Sequence, residues 1–139
     1  MMNSKRILAM VLALVMVFSM FPMSASAEEV PAFGITSATG KAGEEVTVAV
    51  TIENNPGVMM YNYGIQYDTT RLERVEMTKG GMDNVGIWTI QDKVLWENND
   101  FTNSYYNGDT VVVKFKIKED APAGDAEISL YDFMALDYE

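Results

Sequence analysis

Alternation with a period of two residues dominates this chain from Glu45 onward and leaves few folds open to it. Val46, Val48, Val50 and Ile52 interleave with Thr47, Ala49, Thr51 and Glu53. Tyr61, Tyr63, Ile65 and Tyr67 interleave with Met60, Asn62, Gly64 and Gln66, and Val111, Val113, Phe115 and Ile117 with Val112, Lys114, Lys116 and Lys118. Successive side chains of a strand point to opposite faces, so each run buries one face and wets the other. Antiparallel sheets packed over a shared core carry that signature.

Weaker strands fill the gaps. Residues 33–39 read as a first strand, ended by Gly40-Lys41-Ala42-Gly43. Residues 72–77, 85–90, 93–97 and 125–133 read as the fourth, fifth, sixth and eighth. Gln91-Asp92 is short enough for a tight hairpin between the fifth and sixth. Breakers fall between the runs: Asn54-Asn55-Pro56-Gly57, Lys79-Gly80-Gly81, Asn107-Gly108-Asp109 and Ala121-Pro122-Ala123-Gly124. Eight short strands at this spacing, with no helical pattern among them, predict an all-β fold, an antiparallel β-sandwich with jelly-roll topology.

The first 27 residues follow another rule. Lys5 and Arg6 precede an almost wholly apolar stretch from Ile7 to Phe21, Pro22 ends it, and Ala25-Ser26-Ala27 offers small residues to a peptidase. An apolar run of about 15 residues falls short of the roughly 20 that span hydrocarbon. The pattern predicts a signal peptide over 1–27, cleaved after Ala27, and a secreted domain over 28–139 with no membrane contact once cleaved. Two of the ten Lys and Arg and none of the twenty Asp and Glu lie in that leader, so the domain sets 8 bases against 20 acids and carries −12. Such a balance argues against nucleic acid, whose phosphates must be met by clustered cations. There is no cysteine and no histidine. Disulfides and thiolate chemistry are thereby excluded, and the commonest general base and transition-metal ligand is missing. No cofactor and no enzymatic activity are expected.

Three blocks of sequence resemble the cohesin domains of bacteria. Gly40-Lys41-Ala42-Gly43-Glu44-Glu45-Val46-Thr47-Val48 resembles their strand opening. Asn55-Pro56-Gly57-Val58 followed by Tyr67-Asp68, Leu72 and Glu73 resembles their Pro-Gly turn and the Tyr-Asp stretch after it. Gly108-Asp109-Thr110, Phe115-Lys116-Ile117-Lys118 and Ala121-Pro122-Ala123-Gly124 complete the set in the family's order. The resemblance implies a nine-stranded jelly-roll sandwich, related to the sandwiches of carbohydrate-binding modules. It implies a cellulosome socket for dockerins, the small calcium-loaded helical modules borne by polysaccharide-degrading enzymes. Relative to the family, the loops between the fourth and sixth strands are short. The last strand is apparently missing, since the chain stops at Tyr138-Glu139. The first strand is therefore expected at a sheet edge, and the domain reads as C-terminally truncated.

Each candidate residue has a plain structural reading beside the functional one. The resemblance places dockerin contacts on the outer face of the third strand, just after the Pro-Gly turn, where Met60 and Asn62 stand, with Gln66 farther along. All three would otherwise be ordinary solvent-facing strand residues. Trp88 and Trp96 could anchor a partner or stack on sugar, although large apolar side chains are more often core. Glu97 could meet a cationic dockerin side chain. Glu97-Asn98-Asn99-Asp100 offers oxygens to calcium but lacks EF-hand spacing, and reads better as a polar turn. Tyr105-Tyr106 could make a sugar platform, though packing over the end of the sandwich is the simpler account.

Together these features predict an extracellular protein–protein binding module. Its partners would be dockerin-containing glycoside hydrolases or other extracellular proteins, docked on a flat face carrying strands three, five, six and eight. The alternative is a carbohydrate-binding module that holds polysaccharide with Trp88, Trp96, Tyr105 or Tyr106; a structural or adhesion module is a third reading. Coplanar exposed aromatics would favour sugar, and a mixed polar and apolar flat face would favour a dockerin.

Overall fold

The computed structural model describes residues 31–137, so the leader expected over 1–27 lies outside the described residues. Eight strands follow in order: β1 (Ala32–Ile35), β2 (Glu45–Glu53), β3 (Met60–Tyr67), β4 (Leu72–Lys79), β5 (Val85–Ile90), β6 (Lys93–Asn98), β7 (Gly108–Ile117) and β8 (Ile128–Leu136). They form two four-stranded antiparallel sheets, β1-β2-β7-β4 and β5-β6-β3-β8, packed face to face. The predicted sandwich is what forms, and β1 does stand at an edge.

Two boundaries differ from the sequence reading. The first strand stops at Ile35 rather than at residue 39. Thr36 keeps one backbone bond to Ala49, and its hydroxyl accepts the Ala49 N–H at 2.8 Å, after which the chain leaves the sheet. The eighth strand is shifted three residues toward the C-terminus, from 125–133 to Ile128–Leu136. Arg71 explains the delay, because its guanidinium donates to the carbonyls of Pro122 and Asp125 and holds that connector off the ladder. The hairpin at Gln91-Asp92 closes as expected, with Ile90 opposite Lys93 and Gln91 at φ +54°.

Inward side chains of both sheets meet in one core. Val48, Val50, Ile52, Val111, Val113 and Phe115 come from the first sheet, and Tyr61, Tyr63, Ile65, Val94 and Trp96 from the second. Trp96 stacks on Tyr61 at 4.8 Å, and Tyr61 on Tyr63 at 5.7 Å. Phe133 extends the stack and reaches Phe33 of β1 at 4.2 Å, joining the two edge strands. Farther along that side the sheets part, and a groove of about 880 Å³ opens beside Ile35, Val48, Leu72, Ile117 and Ile128.

The core also holds polar atoms. Among the described residues, the Tyr61 and Tyr63 hydroxyls and the Trp96 indole N–H are buried with no hydrogen-bond partner. The Thr110 hydroxyl beside the two tyrosines is committed to the Val50 carbonyl at 2.9 Å. Burial pushes both phenols well above the ordinary tyrosine range, by more than Thr110 lowers them. The stability this protects is complete below the unfolded tyrosine value near 10 and is lost as pH climbs past it toward the raised folded values. Urea midpoints are expected to fall above about pH 10, with tyrosinate absorbance from these two residues appearing only on unfolding. Tyrosinate absorbance from all seven tyrosines in the folded protein at that pH would contradict their burial.

Candidate functional site

The outer face of the β5-β6-β3-β8 sheet collects Met60, Asn62, Gln66, Trp88 and Glu97, the residues read from the sequence as a partner-binding face. Period-2 geometry turns Gly86, Trp88 and Ile90 of β5 outward, with Lys93, Leu95 and Glu97 of β6 and Met60, Asn62, Gly64 and Gln66 of β3. Ladder pairing arranges them in rows. One row runs Gly86–Glu97–Met60–Leu136, the next Trp88–Leu95–Asn62–Met134, and the third Ile90–Lys93–Gly64–Tyr131. Gln66 and Ser129 stand beyond them.

Two glycines let large rings lie flat on this surface. There is no room for a Cβ at Gly86 beneath the Trp88 indole, nor at Gly64 beneath the Tyr131 ring. Lys93 caps the latter, with Nζ 4.4 Å above the ring centroid and 2.7 Å from the Asp132 carboxylate. That carboxylate holds the Lys93 ammonium above its usual range. Asp132 adopts φ +50° where β8 slips in register against β3, a bulge that aims its side chain at Lys93.

Exposed apolar surface concentrates here. Of the nine large hydrophobic residues that are exposed among those described, Trp88, Ile90, Tyr131, Met134 and Leu136 lie on this one face. Monomeric proteins seldom gather so much apolar surface without a partner for it. The other sheet's outer face is of another kind, laced by Lys114 between Glu45 and Glu76 at 3.7 and 3.6 Å and by Lys116 near Glu119. Among the described residues that sheet exposes a single large hydrophobic side chain, Val75 of β4.

The family model of the cohesin domain matches residues 31–139. The chain belongs to the cohesin family. Among solved structures it is similar to the sixth cohesin of scaffoldin B from Acetivibrio cellulolyticus, in complex with a Cel5 dockerin mutant. That match has 26% identity and a TM-score of 0.68, covering 77% of this chain and 86% of that one. A type I cohesin–dockerin complex from Clostridium thermocellum aligns at 15% identity and TM-score 0.66, over 78% and 87% of the two chains. The solution structure of a Clostridium acetobutylicum cohesin aligns at 18% and 0.65, over 81% and 83%. A comparison with curated protein sequences finds no match.

In this cohesin Met60, Asn62, Gln66, Trp88 and Glu97 share one surface, but Trp96 does not join them. Trp96 is fully buried, because β6 alternates Val94, Trp96 and Asn98 inward. Tyr106 likewise packs against the core, while Tyr105 stands exposed against Gly57. The four aromatics named as candidates for holding sugar are therefore split between interior and surface. The polar stretch after Glu97 forms a turn: Asn98 Oδ1 accepts the Asp100 N–H at 2.9 Å and Asn84 bonds the Asp100 carboxylate. At the far end of the sheet Asp68 caps its own turn through the Thr70 N–H and pairs with Arg71 at 3.2 Å. The Thr70 hydroxyl is the first cause holding Asp68 below the usual carboxylate range.

Sequence reasoning missed Tyr131, Met134 and Leu136. From Tyr131 onward apolar residues occupy both parities, and the bulge at Asp132 switches which parity faces out. Ile90 was readable from its alternation with Trp88.

Proposed function

We propose that this cohesin is a secreted dockerin-binding module, released from its leader after Ala27, that seats a dockerin on the outer face of β5-β6-β3-β8. One observation carries the reading: exposed apolar and polar side chains share a single flat face of a cohesin sandwich whose other outer face is charged. The similar cohesin of Acetivibrio cellulolyticus is itself held in complex with a dockerin. A carbohydrate-binding role is less favoured, since Trp96 and Tyr106 are withdrawn from the surface it would need. The module would act by tethering glycoside hydrolases through their dockerins, with the chemistry left to the tethered partner.

The rows above Tyr61 and Trp96 rest on stacked rings, which fix the strands before a partner arrives. Asn62 stands at the centre of the face, flanked in its row by Leu95 and Met134. Asn62→Asp is expected to weaken dockerin binding about tenfold in titration calorimetry, because a new carboxylate would be covered among apolar neighbours. Its melting temperature should move little, as surface changes usually stay within about 0.5 kcal/mol. An unchanged affinity would remove Asn62 from the interface.

A further inference from the structure

Nine asparagines occur in the chain, and Asn107 is the one followed by glycine. That neighbour matters because the backbone nitrogen of the next residue can attack an asparagine side chain, and a Cβ on that residue crowds the approach. Asn55 is followed by proline, Asn62 by Tyr63 and Asn84 by the β-branched Val85, all of which hinder it. Gly108 brings no Cβ and sits at φ +130°. Asn107 is also exposed, so water reaches it.

Local bonds poise the amide. The Asn55 backbone N–H donates to Asn107 Oδ1 at 3.1 Å, the atom that gains negative charge when Cγ is attacked. Asn107 Nδ2, the group that must leave, donates to the Tyr105 carbonyl at 3.2 Å in an exposed bond. Bringing the Gly108 nitrogen onto Cγ requires a turn of the Asn107 backbone against the pairing of Gly108 with Ile52. That pair is the first of β7, and strand ends open more readily than strand centres.

We propose that Asn107 is a self-modification site, at which the chain deamidates through Gly108 and slackens the tie between two of its own loops. A bond forms between the Gly108 nitrogen and Cγ, and the Cγ–Nδ2 bond breaks. Nδ2 departs as ammonia, carrying the proton that the Gly108 nitrogen gives up. The cyclic imide left behind takes up one water. Opening at Cγ gives aspartate; opening at the backbone carbonyl gives isoaspartate, whose main chain runs through the side chain and is one methylene longer. No atom changes oxidation state, and water is the only other reactant.

Either product removes something the loops use. Aspartate no longer donates to the Tyr105 carbonyl and adds a carboxylate two residues from Asp109. Isoaspartate also carries the acceptor away from the Asn55 N–H and spoils the Ile52–Gly108 pair. The Asn55 amide is what holds the Ser104 and Tyr106 carbonyls, so a shift at Asn55 slackens the β2–β3 turn against the β6–β7 loop. Dockerin binding plays no part in this inference.

The test is peptide mass mapping of the purified protein aged at mildly alkaline pH, folded and in parallel in urea, with isoaspartate read by enzymatic methylation. In the folded protein the amide-to-acid mass gain is expected at Asn107 ahead of every other asparagine, more slowly than in urea and with isoaspartate the larger product. Asn107→Gln, whose longer side chain would have to close a larger ring, should abolish the signal there. The enriched isoaspartate form should melt roughly 3–6 °C below the unaged protein, the effect of about one lost hydrogen bond, and its Asn55 amide should exchange faster. An Asn107 that stays an amide in the folded protein while the chain in urea is fully converted would overturn the proposal, as would earlier conversion at another asparagine. An isoaspartate form with unmoved melting temperature and Asn55 exchange would overturn the slackening. Should the glutamine variant fail to fold, the wild-type map and the melt of its isoaspartate form decide the matter.

Discussion

Trp96→Ala is expected to lose about 4 kcal/mol of folding stability, whereas Trp88→Ala should cost under about 1 kcal/mol and damage binding instead. The two tryptophans sit eight positions apart on neighbouring strands, and sequence offers each the same roles. Trp96 is fully buried, stacked on Tyr61 at 4.8 Å. Truncating a buried Trp removes its transfer energy and leaves a cavity, about 3–5 kcal/mol in all. Total stability of a domain this size is about 5–15 kcal/mol, so a melting temperature lower by about 15 °C or more follows. Trp88 is 49% exposed and lies over Gly86 on the outer face. Its loss uncovers little core, while an aromatic anchor at an interface is commonly worth tenfold or more in affinity. Thermal melts of both variants, with dockerin titrations of the folded one, separate the effects. Comparable destabilisation by both changes would show that Trp88 serves packing and not docking.

The division between the two tryptophans shows what the sequence reveals and what it leaves hidden. Period-2 alternation made β2, β3 and β7 legible almost residue by residue, because one face of each is core and the other is not. It assigned Met60, Asn62 and Gln66 to one side of β3 by parity alone. It could not say which parity of β5 and β6 faces in, since Trp, Ile, Val and Leu occupy both. Packing decides that: Val85 and Ile87 lie against the core, and so Trp88 points out. The limits of β1 and β8 were hidden for a different reason. Each is set by one distant side chain, Thr36 reaching Ala49 and Arg71 reaching Pro122 and Asp125, and no local pattern records such reach. The bulge at Asp132 belongs to the same class, as its register slip is compatible with a salt bridge to Lys93 that lies 39 residues away.

Asn55→Ala is expected to cost about 2–4 kcal/mol, as much as a large core truncation, although the sequence marks this residue only as part of a turn. Pro56 and Gly57, the latter at φ +124°, shape the turn as their chemistry requires. Asn55 does something else. It is buried, and its amide donates to the carbonyls of Ser104 and Tyr106 at 2.9 Å each, while its Oδ1 accepts the Gly57 N–H at 3.0 Å. Its own backbone N–H donates to Asn107 Oδ1 at 3.1 Å. One side chain thus ties the β2–β3 turn to the long β6–β7 loop. In an alanine variant Ser104 would keep the bond from Val58, but the Gly57 N–H and the Tyr106 carbonyl would lose these partners. Each buried group left without a partner costs about 1–3 kcal/mol. The damage should reach the proposed docking face, because the loop is bridged to Val58 and Met59 is bonded to Leu136 and Asn98, fixing the row that contains Met60. Urea denaturation should show the loss, and hydrogen exchange should quicken first at the Val58 and Ser104 amides. A variant within about 0.5 kcal/mol of wild type, with those amides still protected, would mean that Pro56, Gly57 and the Val58–Ser104 bridge hold the two loops together unaided.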